Sequence, residues 1–127
     1  MPEKRQKTTG RQRKDEIRMT VVEMGEKDGV TGGVLKLETL LNEEQLNGKC
    51  GLYARCTLEP GATLNHHEHH GETETYFILS GTGVYEDNGT DIPAKADDVF
   101  FCKDGSGHGI TNTGDVPLVF MALIIKG

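Results

Sequence analysis

The sequence predicts an all-β fold, a small sandwich or barrel, and three observations predict it. Apolar runs short enough to be strands recur along the chain, glycine-rich turns separate them, and the best-patterned run alternates with the period of two of a half-buried strand. That run is Cys50 to Leu58 (CGLYARCTL), where Leu52, Ala54, Cys56 and Leu58 share one face and Tyr53, Arg55 and Thr57 the other. At 127 residues the chain fits one domain, long enough to bury a core without disulfide or metal staples.

The chain opens on MPEKRQKTTGRQRKD, which is basic, polar and without apolar periodicity. Residues 1–16 are therefore expected to form a flexible arm, and residues 17–127 the folded domain. Ile17 to Val22 alternates imperfectly and suits a sheet edge, and Glu26 to Gly33 is rich in turn residues. Val34 to Leu41 reads as a strand running into a helical turn over Asn42 to Leu46, with Asn42 as cap and an acidic first turn. After Cys50 to Leu58, the segment Glu59-Pro60-Gly61-Ala62 is a turn. Thr75 to Ser80 is a strand ended by Gly81, and Gly83 to Glu86 continues beyond it. Asp87-Asn88-Gly89 signals a tight hairpin, with Thr90 to Ala94 as the returning strand. Val99 to Cys102 and Gly109 to Asn112 are short strands. Pro117 to Ile125 is a continuous apolar strand, buried on both faces or set in a subunit interface.

Charge and composition exclude several functions. The net charge is −6, yet residues 1–14 carry six basic groups against Glu3, so the remainder is more acidic still. An acidic body lacks the basic face that nucleic acid requires. No apolar run approaches the ~20 residues of a membrane span, and no signal-peptide core follows the basic start. Cys50, Cys56 and Cys102 are an odd number without CxxC spacing, which suits reduced thiols in the cytoplasm. No Ser-His-Asp or Cys-His arrangement and no phosphate loop emerges.

The chemistry concentrates in Gly61 to Gly81 (GATLNHHEHHGETETYFILSG), which holds four histidines and three glutamates. His67 and His69 are two apart, so on a strand they point the same way, and Glu74 arrives from the next piece of chain. Imidazole nitrogen with carboxylate oxygen suits one divalent transition ion (Fe, Mn, Ni, Co or Zn) rather than Ca or Mg. His108, flanked by Gly107 and Gly109, can join them if antiparallel strands bring the segments together. Three imidazoles and one carboxylate would leave positions open for water or substrate. His66 and His70 would share a helix face, but the strand pattern opposes a helix, so both are expected at the rim. Glu72 competes with Glu74, and the spacing to Gly81 favours Glu74. Glu68 is expected to be exposed.

These residues resemble the cupin family. Its first motif runs Gly, five residues, His-x-His, three or four residues, Glu, six residues, Gly, and Gly61, His67, His69, Glu74 and Gly81 meet every spacing. In the second motif Gly105, His108 and Asn112 match in register, while Asp97 stands where the family has Gly and Lys103 where it has Pro. The resemblance covers roughly Leu52 to Ile125. It implies a double-stranded β-helix, a conical jelly-roll-like barrel of two antiparallel sheets, with metal at His67, His69, Glu74 and His108 and pairing as a homodimer.

Fold does not name the reaction. A divalent ion with one carboxylate keeps a formal positive charge and favours a small anionic organic molecule as substrate or ligand. Metal-dependent dioxygenase chemistry is the first expectation. Non-oxidative decarboxylase, lyase or isomerase chemistry is the second, and a non-catalytic binding or sensing module the third. The candidate catalytic residues are Arg55, whose fork could hold a carboxylate unless it is a surface charge, and Tyr76, which shares parity with Glu74 and would wall the cavity with Ile78.

Overall fold

The computed structural model describes residues 20–127, so the arm expected over residues 1–16 lies outside the described residues, as do Ile17 to Met19. Eleven strands follow: β1 (Thr20–Met24), β2 (Val30–Thr31), β3 (Leu35–Thr39), β4 (Cys50–Leu58), β5 (Thr63–Glu68), β6 (Glu72–Ser80), β7 (Thr82–Asp87), β8 (Thr90–Lys95), β9 (Val99–Cys102), β10 (Gly107–Asn112) and β11 (Leu118–Lys126). They form a six-stranded sheet in the order β1-β3-β4-β11-β6-β9 and a five-stranded sheet in the order β2-β5-β10-β7-β8. Every pairing is antiparallel, and the architecture is the two-sheet double-stranded β-helix. No helix among the described residues is long and apolar enough to cross a membrane.

Local chemistry explains the joints. A short helix, α1 (Glu43–Leu46), starts at Asn42, whose side chain accepts from Gln45 N–H at 2.7 Å while the Gln45 side chain accepts from Asn42 N–H at 3.0 Å. That reciprocal cap is what lets so short a helix end the strand before it. At the β7–β8 hairpin Asn88 and Gly89 take φ of 51° and 98°, the left-handed pair that a two-residue turn matched to strand twist demands. At Gly81, φ is 88° and a Cβ would meet the Pro117 carbonyl oxygen at 2.5 Å, so only glycine lets β6 pass into β7 there.

Alternation sets the core. On β4 the run Ala54, Cys56, Leu58 is buried, and on β11 so are Leu118, Phe120 and Ala122. All of these except Ala54 meet Tyr76, Ile78, Tyr85 and Ile110 between the sheets. Tyr76 and Ile78 point inward as their parity with Glu74 predicts. The outward positions of β11 are not buried within the chain: Val119, Met121 and Leu123 are half-buried and Ile125 is exposed. Beside them Phe77, Leu79, Val99 and Phe101 are exposed as well, so the outer surface over β11, β6 and β9 is apolar. All three cysteines are unpaired, with Cys56 and Cys102 buried.

Candidate metal centre

Four side chains from three segments converge between the sheets. His67 is the penultimate residue of β5, His69 follows the strand, and His108 stands opposite His67 on β10 in direct register. Glu74 comes from the other sheet, on β6 between Cys102 of β9 and Ile124 of β11. One ligand atom from each of the four lies within 4.8 Å of the others. His69 is 6% exposed, Glu74 4% and His108 0%, while His67 is more open.

A β-bulge brings the imidazoles in. The pairing of β5 with β10 runs Leu64 to Ile110 and then His67 to His108, so Asn65 and His66 share the single position opposite Gly109. The extra residue reverses the parity along β5, and Leu64 and His67, three apart, both reach the interior. Gly109 permits this, because a Cβ there would meet the Leu64 carbonyl oxygen at 2.9 Å. Beyond β5 the ladder continues irregularly, with His69 N–H donating to Ser106 at 3.0 Å and Gly105 N–H to His69 at 2.7 Å. That holds His69 beside His67, with ring centroids 5.0 Å apart.

The partners of the three rings allow one tautomer in common. Nδ1 of His67 faces the Asn65 carbonyl at 2.8 Å, Nδ1 of His69 faces the Glu72 carboxylate at 2.6 Å, and Nδ1 of His108 faces the Tyr85 hydroxyl at 2.8 Å. A carbonyl and a carboxylate only accept, so Nδ1 of His67 and of His69 carries a proton, and the Tyr85 hydroxyl can accept one from Nδ1 of His108. Each Nε2 can then either offer its lone pair to a metal or, in the protonated ring, donate to Glu74. Those Nε2 atoms all point at Glu74 Oε1, at 3.6 Å from His67, 2.8 Å from His69 and 3.0 Å from His108. Nε2 of His69 and of His108 are themselves 3.2 Å apart. Lone pairs this close repel one another unless a proton or a cation lies among them. The donor set therefore fits a divalent transition ion, and each histidine already has the outer hydrogen bond that fixes a ligand ring.

Electrostatics agree with the geometry. Burial pushes the Glu74 carboxyl up, but hydrogen bonds from His108 and His67 and the charge of His108 and His69 outweigh it and hold the group at about 2. Burial pulls His67 down, and its bonds to Glu74 and the Asn65 carbonyl more than reverse this, so it lies above its ordinary value. For His108 burial prevails over the attraction of Glu74, and the ring is held below its ordinary value, favouring the neutral form that ligates. Burial also pushes the Tyr76 and Tyr85 phenols well above their usual range, so both keep their protons.

The cluster closes one end of a cavity of about 320 Å³ lined chiefly by aliphatic side chains, together with Tyr76, Cys56, Asn65, His66 and Asp28. Tyr76, 1% exposed, stacks on His108 with centroids 4.7 Å apart, and its hydroxyl has no hydrogen-bond partner among the described residues. Arg55 is not brought to the cluster. It stands on the outward face of β4, where its Nε donates to Glu38 Oε1 at 3.0 Å. His66 and His70 sit at the exposed rim, tied to Glu86 and Glu68. Sequence reasoning missed the parts of Glu72 and Tyr85. Glu72, three residues after His69, reads in sequence only as a rival ligand, and Tyr85 carries no local signal because β7 reaches His108 across a ladder.

Comparison with known proteins places the chain. The cupin domain matches residues 54–124, more than half of its length. An oxalate-binding protein of Thermotoga maritima is 46% identical over 93 residues, which are 73% of this chain and 77% of that protein. A crystal structure from Thermotoga maritima, described as a predicted oxalate decarboxylase, superposes with a TM-score of 0.81 at 41% identity, covering 86% of this chain and 94% of the other. A cupin 2 conserved barrel domain protein from Salinispora arenicola gives a TM-score of 0.64 at 25% identity, over 73% of this chain and 76% of that one.

Proposed function

The chain belongs to the cupin domain family, and from that premise we propose that it is a metal-dependent binder of small anionic organic acids of the oxalate type. The observation that carries this reading is the convergence of three imidazoles and one carboxylate at the end of a cavity. His67, His69, Glu74 and His108 would hold one divalent ion (Fe, Mn, Ni, Co or Zn), which supplies Lewis acidity toward a carboxylate or carbonyl oxygen. The single carboxylate leaves positive charge at the site, so an anion is favoured there. The relatives from Thermotoga maritima support oxalate-like acids as the ligand class.

Non-oxidative decarboxylation is the second reading, and Tyr76 supports it. Loss of carbon dioxide from an acid leaves an electron pair on carbon that must take a proton. The Tyr76 hydroxyl lines the cavity without a hydrogen-bond partner among the described residues and would be the group to supply it. Dioxygenase chemistry rests on the ligand set alone. Calorimetric titration of oxalate into zinc-loaded and metal-free protein tests the binding, which should require the metal. On protein loaded with iron or manganese, carbon dioxide release without oxygen uptake would indicate the lyase, oxygen uptake the dioxygenase, and intact oxalate the binding module. Failure of oxalate and of related small acids to bind the loaded protein would overturn the proposal.

The outward face of β6, β9 and β11 supports a homodimer. It carries Phe77, Leu79, Val99, Phe101, Leu123 and Ile125 and no charged residue, on a chain whose acidity repels a copy of itself elsewhere. An isologous pairing would bury this face against itself. A dimeric mass in solution at micromolar concentration is expected, and a monomeric one refutes it. Three unpaired thiols support residence in a reducing compartment such as the cytoplasm.

A further inference from the structure

The cavity is larger and greasier than a bare dicarboxylate needs. Its volume of about 320 Å³ matches about ten water molecules at ~30 Å³ each. Oxalate, two carboxyl groups joined back to back, would occupy only the part beside the four ligand residues. The rest is walled by Met24, Leu35, Leu37, Leu52, Leu64 and Ile124. Water held against such walls gains little and is readily displaced by an apolar group.

Charge points the same way. No lysine or arginine lines the cavity among the described residues. Arg55, the strand cation nearest in sequence, is turned outward and held by Glu38. Of the acidic and imidazole groups in the wall outside the four, Asp28 accepts from Gly25 N–H at 3.1 Å and His66 is held by Glu86 at 2.8 Å. A second carboxylate extending into the aliphatic part would lose its hydration and meet no cation, which is costly. An uncharged arm meets no such penalty.

Resting on the small-acid reading above, we infer that the ligand is a 2-oxo monocarboxylate with a branched aliphatic or aryl arm, its acid head at the His67–His69–Glu74–His108 end and its arm filling the leucine-lined chamber. Replacing one carboxylate of oxalate by an acyl carbon keeps two oxygens on adjacent carbons for the head. It also exchanges the second charge for apolar surface, as the wall requires.

Calorimetric titration of the zinc-loaded full chain with oxalate, pyruvate, 2-oxobutanoate and 4-methyl-2-oxopentanoate tests this. Each buried methylene should tighten binding about fourfold, so 4-methyl-2-oxopentanoate should bind about 60-fold more tightly than pyruvate. The heat-capacity change should become more negative along the series, as apolar burial dictates. Affinity that stays flat or falls as the arm grows, with oxalate still bound, overturns this inference and leaves the small-acid reading standing. Absence of binding by all four, oxalate included, overturns both.

Discussion

Replacing Tyr85 by Phe deletes one oxygen and little else, which makes it the sharpest probe of the histidine tautomers. The ring is 1% exposed and stacks on Phe100 with centroids 4.2 Å apart, so phenylalanine keeps the packing. What disappears is the oxygen, 2.8 Å away, that accepts from His108 Nδ1–H in the tautomer that ligates a metal. The metal-free protein has a remedy: the proton moves to Nε2 and is donated to Glu74 Oε1 at 3.0 Å. Its stability should therefore fall by less than about 1 kcal/mol. With metal bound the remedy is closed, because Nε2 must stay bare. A donor is then stranded in a side chain that is 0% exposed, at a cost of about 1–3 kcal/mol. The expected loss of metal affinity is about 10–100-fold, measured by competition for zinc against a chromogenic chelator at neutral pH. Denaturant midpoints of both metal-free proteins are measured alongside. Unchanged zinc affinity in a normally folded variant would refute the tautomer assignment. A large loss of metal-free stability with affinity intact would make Tyr85 a packing residue only.

Three further outcomes are expected. Tyr76→Phe removes a buried hydroxyl without a partner among the described residues, so the metal-free protein should gain about 1 kcal/mol, or about 3–5 °C in Tm. A fall in Tm would mean that the hydroxyl is bonded. Asp97 sits at φ 75° where the family motif has glycine, and its N–H donates to Ile78 at 2.8 Å, a bond glycine retains. Asp97→Gly should thus raise the denaturant midpoint by the equivalent of about 0.5–1 kcal/mol, and a lowered midpoint would contradict the strain. His67 titrates above its ordinary 6.5, so in the metal-free protein its protonated form contributes stability that is full below 6.5 and lost as pH rises through the raised value. Metal takes the neutral ring, so zinc retention after ultrafiltration should fall as the pH drops below that value, and a flat profile between about pH 5 and 8 would contradict the assignment.

The sequence by itself determined what local physics encodes. Period-two alternation in Cys50 to Leu58 named the inward face, Asn42 named the start of α1, Asn88-Gly89 named the hairpin, and the spacing of His67, His69, Glu74 and His108 named the residues that meet. Each of these depends on a few neighbouring residues or on a spacing along the chain, so one strand can display it. Tertiary structure alone decided the rest. The bulge opposite Gly109 turns Leu64 inward with His67, against simple alternation, and the pairing of β3 with β4 gives Arg55 its partner Glu38. Tyr85 and Glu72 set which nitrogen of His108 and His69 is bare. The outer face of β11, readable as buried or as an interface, stays uncovered because no element of the described chain packs over it. These outcomes depend on which strands become neighbours and in what register. Register follows from the packing of two whole sheets, a property no single segment of the chain carries.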